Sequence, residues 1–224
     1  MDVHLRELQT DDDPALERII SKTWKFETCR TPKTTGRVSR AYLADCLCDQ
    51  TFTRVAVADG TPVGIIMGNS IRKHRVTIPE RAGRLAAQAS LLFSQGGADA
   101  IRFFTTADGI DAMLRKHAQI EYEGEIALFA VDPACRGLGV GKKLYLALLD
   151  YFRQEGIERF FVYTDTDCDY GFYEHQGLVR RCESRCGFGS GVERFEMTFY
   201  LYDNLHNLHN LHNLHSKLSA CENG

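Results

Sequence analysis

No run of apolar residues in this 224-residue chain approaches the roughly 18 to 20 needed to span a bilayer, which excludes a helical membrane protein. The opening Met1-Asp2-Val3-His4-Leu5-Arg6-Glu7 lacks the basic region and apolar core of a secretory signal, so the expected location is cytoplasmic. A charge excess is missing too. With 27 Lys+Arg against 30 Asp+Glu the formal net charge is −3, and neither nucleic acid nor an anionic membrane surface is an expected partner. The chain has no CxxC spacing. Among its eight cysteines are two close pairs, Cys46/Cys48 and Cys182/Cys186, neither spaced as a zinc or thiol-redox site, so reduced thiols and no metal are expected. What remains is ordinary globular composition, 44% hydrophobic and 25% charged, in a length that suits one elaborated domain.

Val3 to Leu8 alternates like a half-buried strand, and Asp11-Asp12-Asp13-Pro14 is a helix start, with the helix expected to run to about Lys25. After a loop at 31–36, Val38 to Cys48 reads as a second helix. Thr51 to Ala58 and Pro62 to Asn69 flank an Asp59-Gly60 turn and read as a hairpin. Strand character then disappears from about 71 to 121, where Arg81 to Phe93 and Asp108 to Ala118 show helical spacing between Gly96-Gly97 and Asp108-Gly109 punctuation. This stretch is expected to be a helical insertion, acting as a lid, mediating a homodimer, or packing outside. Strand pattern returns at Tyr122 to Val131, then a helix carrying Leu144, Leu148, Tyr151 and Phe152, a strand at Arg159 to Thr164, a short helix at Tyr170 to Gln176, and strands at Leu178 to Cys186 and Val192 to Tyr202. From Asn204 the triplet Asn-Leu-His repeats four times and holds half of the eight histidines. A step of three rotates about 300° per repeat on a helix, so these histidines would not line one face, and a low-complexity tail over 204–224 is expected.

Glu125 to Lys142 carries the chemistry. A strand enters a glycine-rich turn where a helix begins, and a helix start offers unpaired N–H groups and a partial positive charge to an anion, so phosphate binding is the natural inference. The P-loop pattern fails because the position five before Gly141 is Arg136 and Lys142 is followed by Lys143; GxGxxG fails because Lys142 stands at its last glycine. What fits is Arg-x-x-Gly-x-Gly, with Arg136, Gly139 and Gly141 after a strand ending Val131-Asp132-Pro133.

In these residues, in Phe172-Tyr173-Glu174-His175-Gln176-Gly177-Leu178, and in the element order on both sides, the chain resembles the GNAT superfamily of acetyl-CoA-dependent N-acetyltransferases. The resemblance implies an α/β (α+β) fold: a mixed, mostly antiparallel central sheet flanked by helices and splayed between its fourth and fifth strands. Residues 1–203 would form a single domain with the insertion at about 71–121. It further implies acetyl-CoA as cosubstrate, with Arg136, Gly137, Leu138, Gly139, Val140, Gly141 and Lys142 wrapping the pyrophosphate and the backbone of Phe129, Ala130 and Val131 pairing with the pantetheine arm. The acceptor would be a primary amine of a small molecule or peptide, attacking directly.

Direct attack needs a base for the amine and an acid for the departing thiolate. Tyr173 is the expected acid, since a phenol near its ordinary pKa of about 10 lies close to a thiol's range. Glu125 is the candidate base, set against a solvated strand entry, with Glu121, Glu123 and Glu125 on one face and Tyr122 and Ile126 on the other. Asp165, Asp167 and Asp169 read as a solvated acidic loop or a binding surface for a cationic acceptor. Arg72-Lys73-His74-Arg75 with Arg81 and Arg84 reads as a solvated face or a contact to the 3′-phosphate. Thr166 stands where family members often carry Asn, which puts the pantetheine contact there in question, and a nucleophilic Cys168 is set against direct transfer. The non-enzyme alternative is a catalytically silent acyl-CoA-binding sensor that kept the cradle.

Overall fold

The computed structural model describes residues 2–26, 32–189 and 195–205. The chain builds β1 (Val3–Arg6), α1 (Asp13–Thr23), α2 (Pro32–Cys48), β2 (Phe52–Ala58), β3 (Thr61–Ser70), α3 (Ile78–Leu92), α4 (Gly97–Ala118), β4 (Gly124–Val131), α5 (Val140–Gln154), β5 (Phe160–Asp165), α6 (Gly171–His175), β6 (Val179–Phe188) and β7 (Phe195–Asp203). The seven strands make one sheet in the order β1-β2-β3-β4-β5-β7-β6. Every pairing is antiparallel except β4 with β5. This is the mixed, splayed architecture expected above. The turn at Ser190 and Gly191 and the repeats beyond Leu205 lie outside the described residues.

Local chemistry explains most boundaries. Arg6 grips both carboxylate oxygens of Asp12 at 2.6 Å, tying β1 to the 3-10 turn at 10–12 from which α1 starts, with Pro14 in the first turn. The α5 stripe of Val140, Leu144, Leu148 and Phe152 is buried against the sheet, as its spacing of fours predicts.

Three boundaries differ from expectation. Helix α2 begins at Pro32, six residues before Val38, because Pro is at home in a helix's first turn. Helix α3 begins at Ile78, three residues before Arg81: Thr77 and Glu80 form a reciprocal capping box, with Thr77 N–H donating to Glu80 Oε2 at 2.7 Å. Helix α4 is continuous through Asp108-Gly109. Gly109 is exposed and costs about 1 kcal/mol against Ala, which the burial of Ala100 and Leu114 on the inner side of α4 outweighs.

The sheet has two covered faces. Helix α5 and α6 pack on one, where Ala56, Ile66, Ile126, Val162, Tyr200 and Tyr202 meet Leu144, Leu148 and Tyr173. On the other, α1 and α2 cover Val55, Val57, Ile65 and Met67, while α4 covers Phe161, Met197, Phe199 and Leu201. The insertion helices are therefore core elements: Ala87, Leu91, Ala100 and Leu114 are all buried.

Candidate active site

The parallel β4–β5 pairing lasts for three residue pairs, Gly124 with Phe160, Glu125 with Phe161 and Ile126 with Val162. Beyond them β4 continues along β3 to Val131 while β5 continues along β7 to Asp165, so the strands part. On the β3 side a bulge marks the same place: Leu128 pairs with Met67 and Ile126 with Gly68, leaving Ala127 extra. The bulge changes which face the strand offers. Ile126, Phe129 and Val131 pack with α5, whereas Leu128 and Ala130 pack with the α1–α2 layer.

A cavity of about 360 Å³ runs along this split. At one end it is lined by Arg136, Gly137, Gly139, Gly141 and Lys142, along its length by Phe129, Ala130 and Val131, and at the other end by Trp24, Tyr42, Tyr163, Cys168 and Tyr173. Gly137 and Gly139 adopt φ of 77° and 80°, the left-handed region that disfavours side chains, and Gly139 is the N-cap of α5. The first helical hydrogen bond runs from Lys143 N–H to Gly139 O at 3.1 Å, so the N–H groups of Val140, Gly141 and Lys142 precede the ladder and point out of the helix end. A Cβ on Gly139 would meet nothing within 4 Å, so the mouth of this turn is open; one on Gly141 would come 3.3 Å from the Phe129 ring. Open glycine backbone, unpaired N–H groups and two basic side chains fit an anionic pyrophosphate. Leu138 is exposed, and buried Val140 anchors the helix start rather than facing the cavity.

Tyr173 lies on α6 with its ring against Phe129 and Phe172, is 7% exposed, and makes no side-chain hydrogen bond among the described residues. Burial, helped by the charges around Cys168 and Asp165, holds its hydroxyl far above the ordinary phenol range, so it stays protonated. Cys168 is also pushed well up, first by burial and then by Asp165, whose carboxylate lies 3.7 Å from the thiol. That environment disfavours a thiolate, the form a nucleophilic cysteine needs. Thr166 is tied to β7: its Oγ1 accepts from Thr198 N–H at 3.3 Å.

Glu125 is partly buried and is not in the cavity wall; its neighbour Ala127 is. It pairs across strands with Asn69. Burial, and then the charge of Asp49, pushes its carboxyl up to about 7 against the opposing pull of Arg115, His74 and Asn69. Glu123 is separate, accepting from the N–H groups of Glu158 and Arg159 at 2.9 and 3.1 Å as a loop anchor. Of the acidic loop, Asp165 is buried and receives Asp167 N–H at 2.8 Å, Asp167 pairs with Lys25 at 3.0 Å, and Asp169 lines the cavity.

The basic run sits elsewhere. Lys73 pairs with Glu155 and Arg72 donates to Glu155 O, at the C-terminal end of α5, whereas the glycine turn is at its N-terminal end, about 22 Å away for 15 residues. Arg84 pairs with Asp45 at 3.6 Å. The 3′-phosphate contact is thereby lost to Arg72 and Lys73.

The sequence reading missed the far wall. Trp24 and Tyr42 pack at 4.8 Å between ring centroids, and Tyr42 stacks on Phe104 of α4 at 5.8 Å, so the insertion reaches the cavity through one aromatic. Asp111, also on α4, is pushed up to about 8 by burial and then by the charges of Asp108, Glu125 and Asp165. A signal was present: Asp111 falls between Ala107, Leu114 and Ala118 at spacings of four, three and seven, on the inward side of the helix.

Comparison with known proteins gives a consistent result. A family model described as the acetyltransferase (GNAT) family matches residues 15–178. Two curated relatives are named mycothiol acetyltransferase. The one from Renibacterium salmoninarum is 28% identical over 112 residues, covering 46% of this chain and 33% of its own. The one from Actinosynnema mirum is 30% identical over 92 residues, covering 40% and 31%. The chain thus spans about a third of the length of these relatives. Among solved structures, a GNAT-family protein from Desulfovibrio desulfuricans superposes with a TM-score of 0.51 at 15% identity, covering 90% of this chain and 98% of the other. An N-acetyltransferase from Staphylococcus aureus Mu50 gives 0.50 at 15% identity, covering 91% and 99%. At these identities the likeness concerns the fold.

Proposed function

Because the chain belongs to the GNAT acetyltransferase family, we propose that it moves the acetyl group of acetyl-CoA to a primary amine by direct attack. The observation that carries this reading is the cavity running along the β4–β5 split from the open glycine turn to Tyr173. Arg136, Lys142 and the free N–H groups of Val140, Gly141 and Lys142 hold the pyrophosphate. The backbone of Phe129, Ala130 and Val131 accompanies the pantetheine amides as an added strand, and a backbone N–H there polarises the thioester carbonyl.

Glu125, which stands behind the cavity wall, removes the proton of the acceptor through one water. A carboxyl raised to about 7 is a stronger base than an ordinary glutamate and is still largely ionised at slightly alkaline pH. As the amine nitrogen bonds to the carbonyl carbon and the C–S bond breaks, Tyr173 offers its hydroxyl hydrogen to the departing sulfur. Cys168 takes no covalent part, since its surroundings disfavour the thiolate.

Thiol release from acetyl-CoA, measured over a panel of monoamines, diamines, aminoglycosides and peptide N-termini, tests the reading. Release with at least one amine, together with coenzyme binding that competes with it, is expected. Coenzyme binding without release for every acceptor would replace the transferase by a silent acyl-CoA sensor.

A further inference from the structure

Helix α6 has five residues, too few to hold a direction by itself, and the side chain of Tyr170 just before it makes no capping hydrogen bond. It nevertheless carries Tyr173. The place of the Tyr173 hydroxyl in the cavity is therefore set by whatever α6 is tied to. Its ring packs against Phe129, Phe172 and Tyr202, which keeps it in the core, but apolar contact is non-directional. The directional tie lies one residue further on.

Glu174 closes a triangle with β6 and β7. Tyr202 Oη donates to Glu174 Oε1 at 2.7 Å, Arg180 Nε donates to the same tyrosine oxygen at 3.1 Å, and Arg180 Nη2 reaches Glu174 Oε1 at 3.4 Å. Arg180 and Tyr202 are partners across the two strands, and Tyr202 has no exposed surface. The guanidinium also lies over the rings of Tyr200, Tyr202 and Tyr170 at 4.4, 5.6 and 5.7 Å. Since Tyr170 precedes α6 and Glu174 is near its end, one arginine holds the short helix at both places. An isolated exposed ion pair would contribute little. Here a buried phenol is shared by both charged groups, so neither moves without disturbing the other two bonds. None of Glu174, Arg180 and Tyr202 lines the cavity, and any effect they have on catalysis passes through α6.

Resting on the acetyl-transfer reading above, we propose that Glu174, Arg180 and Tyr202 are positioning residues: their network fixes α6 against β6 and β7 so that the Tyr173 hydroxyl meets the departing sulfur. A displacement of about 1 Å at a reacting group can cost about 10²-fold in rate, which makes a rigid mount for a five-residue helix consequential.

The test starts from Tyr202→Phe, which removes one hydroxyl and keeps the ring. It is expected to lower kcat about tenfold with the affinity for coenzyme A unchanged. In a Tyr173→Phe background the same change is expected to cost less than about twofold, because the group being positioned is gone. A role in stability alone would lower both backgrounds alike, and that result overturns the proposal, as does an unchanged kcat in the single variant. Glu174→Gln keeps an oxygen for Tyr202 to donate to and is expected to retain most of the rate that Glu174→Ala loses; equal losses would also overturn it. Thermal melting establishes that each variant is folded. If no amine is acetylated, or if Tyr173→Phe keeps the full rate, the transfer or acid reading fails by itself, and amide hydrogen exchange decides the positioning. The N–H groups of Gln176 and Leu178 donate to Tyr173 O at 3.1 and 3.0 Å. In Tyr202→Phe they are expected to exchange about tenfold faster while the amides of α5 do not change, and unchanged exchange at 176 and 178 overturns the proposal.

Discussion

Replacing Tyr173 by Phe isolates what its hydroxyl does. Burial holds that hydroxyl far above the ordinary value of 10, whereas a thiol has an ordinary pKa of about 8.5. Complete transfer of the Tyr173 proton to the departing thiolate would run uphill, at about 1.4 kcal/mol for each unit of mismatch. On the proposed mechanism the hydroxyl therefore keeps its proton and stabilises the developing charge through a charge-assisted hydrogen bond, of about 1.5 to 3 kcal/mol. Through the transition-state relation this corresponds to roughly a 10- to 150-fold fall in kcat for Tyr173→Phe. Folding stability should hardly move, by about 0.5 kcal/mol or less. The hydroxyl bonds to nothing among the described residues, and the ring keeps its packing against Phe129, Phe172 and Tyr202. Single-turnover thiol release measures the rate, calorimetry the affinity for coenzyme A, and a thermal melt the stability. An unchanged rate would refute the donor role. A rate loss matched by an equal loss of coenzyme affinity would make Tyr173 a wall of the cavity and nothing more.

Gly139→Asp places a carboxylate in a φ of 80° at the open mouth of the cradle, so coenzyme A binding by calorimetry should be abolished; retained binding would remove the cradle from the glycine turn. On the proposed mechanism Glu125, whose carboxyl is raised to about 7 and which is flanked by Asp49, Asp111, Arg115, His74 and Tyr163, must be ionised to act as base, so log kcat/KM should fall as pH drops below about 7 and level off above it. Glu125→Gln should lower the rate by about 10²- to 10⁴-fold and erase that limb, and a limb that persists in the variant would assign it to another group. Gly68→Ala drives a Cβ onto Leu148 Cδ1 where α5 packs on β3, an overpacking cost of about 1 to 3 kcal/mol. At about 2 to 4 °C per kcal/mol for a chain of this size, the melting temperature should fall measurably, and an unchanged melt would show that α5 can slide.

Much of this was legible in residue order because its causes are local. The stripe of Val140, Leu144, Leu148 and Phe152 requires a helix, and Asp59-Gly60 requires a turn. The glycines before that helix offer open backbone to an anion wherever the rest of the chain lies. Even the missed start of α3 was written locally, in Thr77-Ile78-Pro79-Glu80. Asp108-Gly109 misled for the opposite reason: its local preference for a turn is smaller than the burial α4 gains by continuing over the sheet.

The sequence by itself determined the order of elements, the glycine turn at the start of α5 and the family resemblance, since periodicity, capping and backbone freedom act over a few residues. Only the tertiary structure decided where Glu125 stands. Simple alternation puts Glu125, Phe129 and Val131 on one face, yet the extra residue at Ala127 sends Phe129 and Val131 toward α5 while Glu125 stays on the face that α4 covers. A bulge is a property of two strands in register, and the carboxylate of Asp111 meets that face only because α4 packs across it. Both depend on contacts between residues far apart in the chain, which no local pattern encodes.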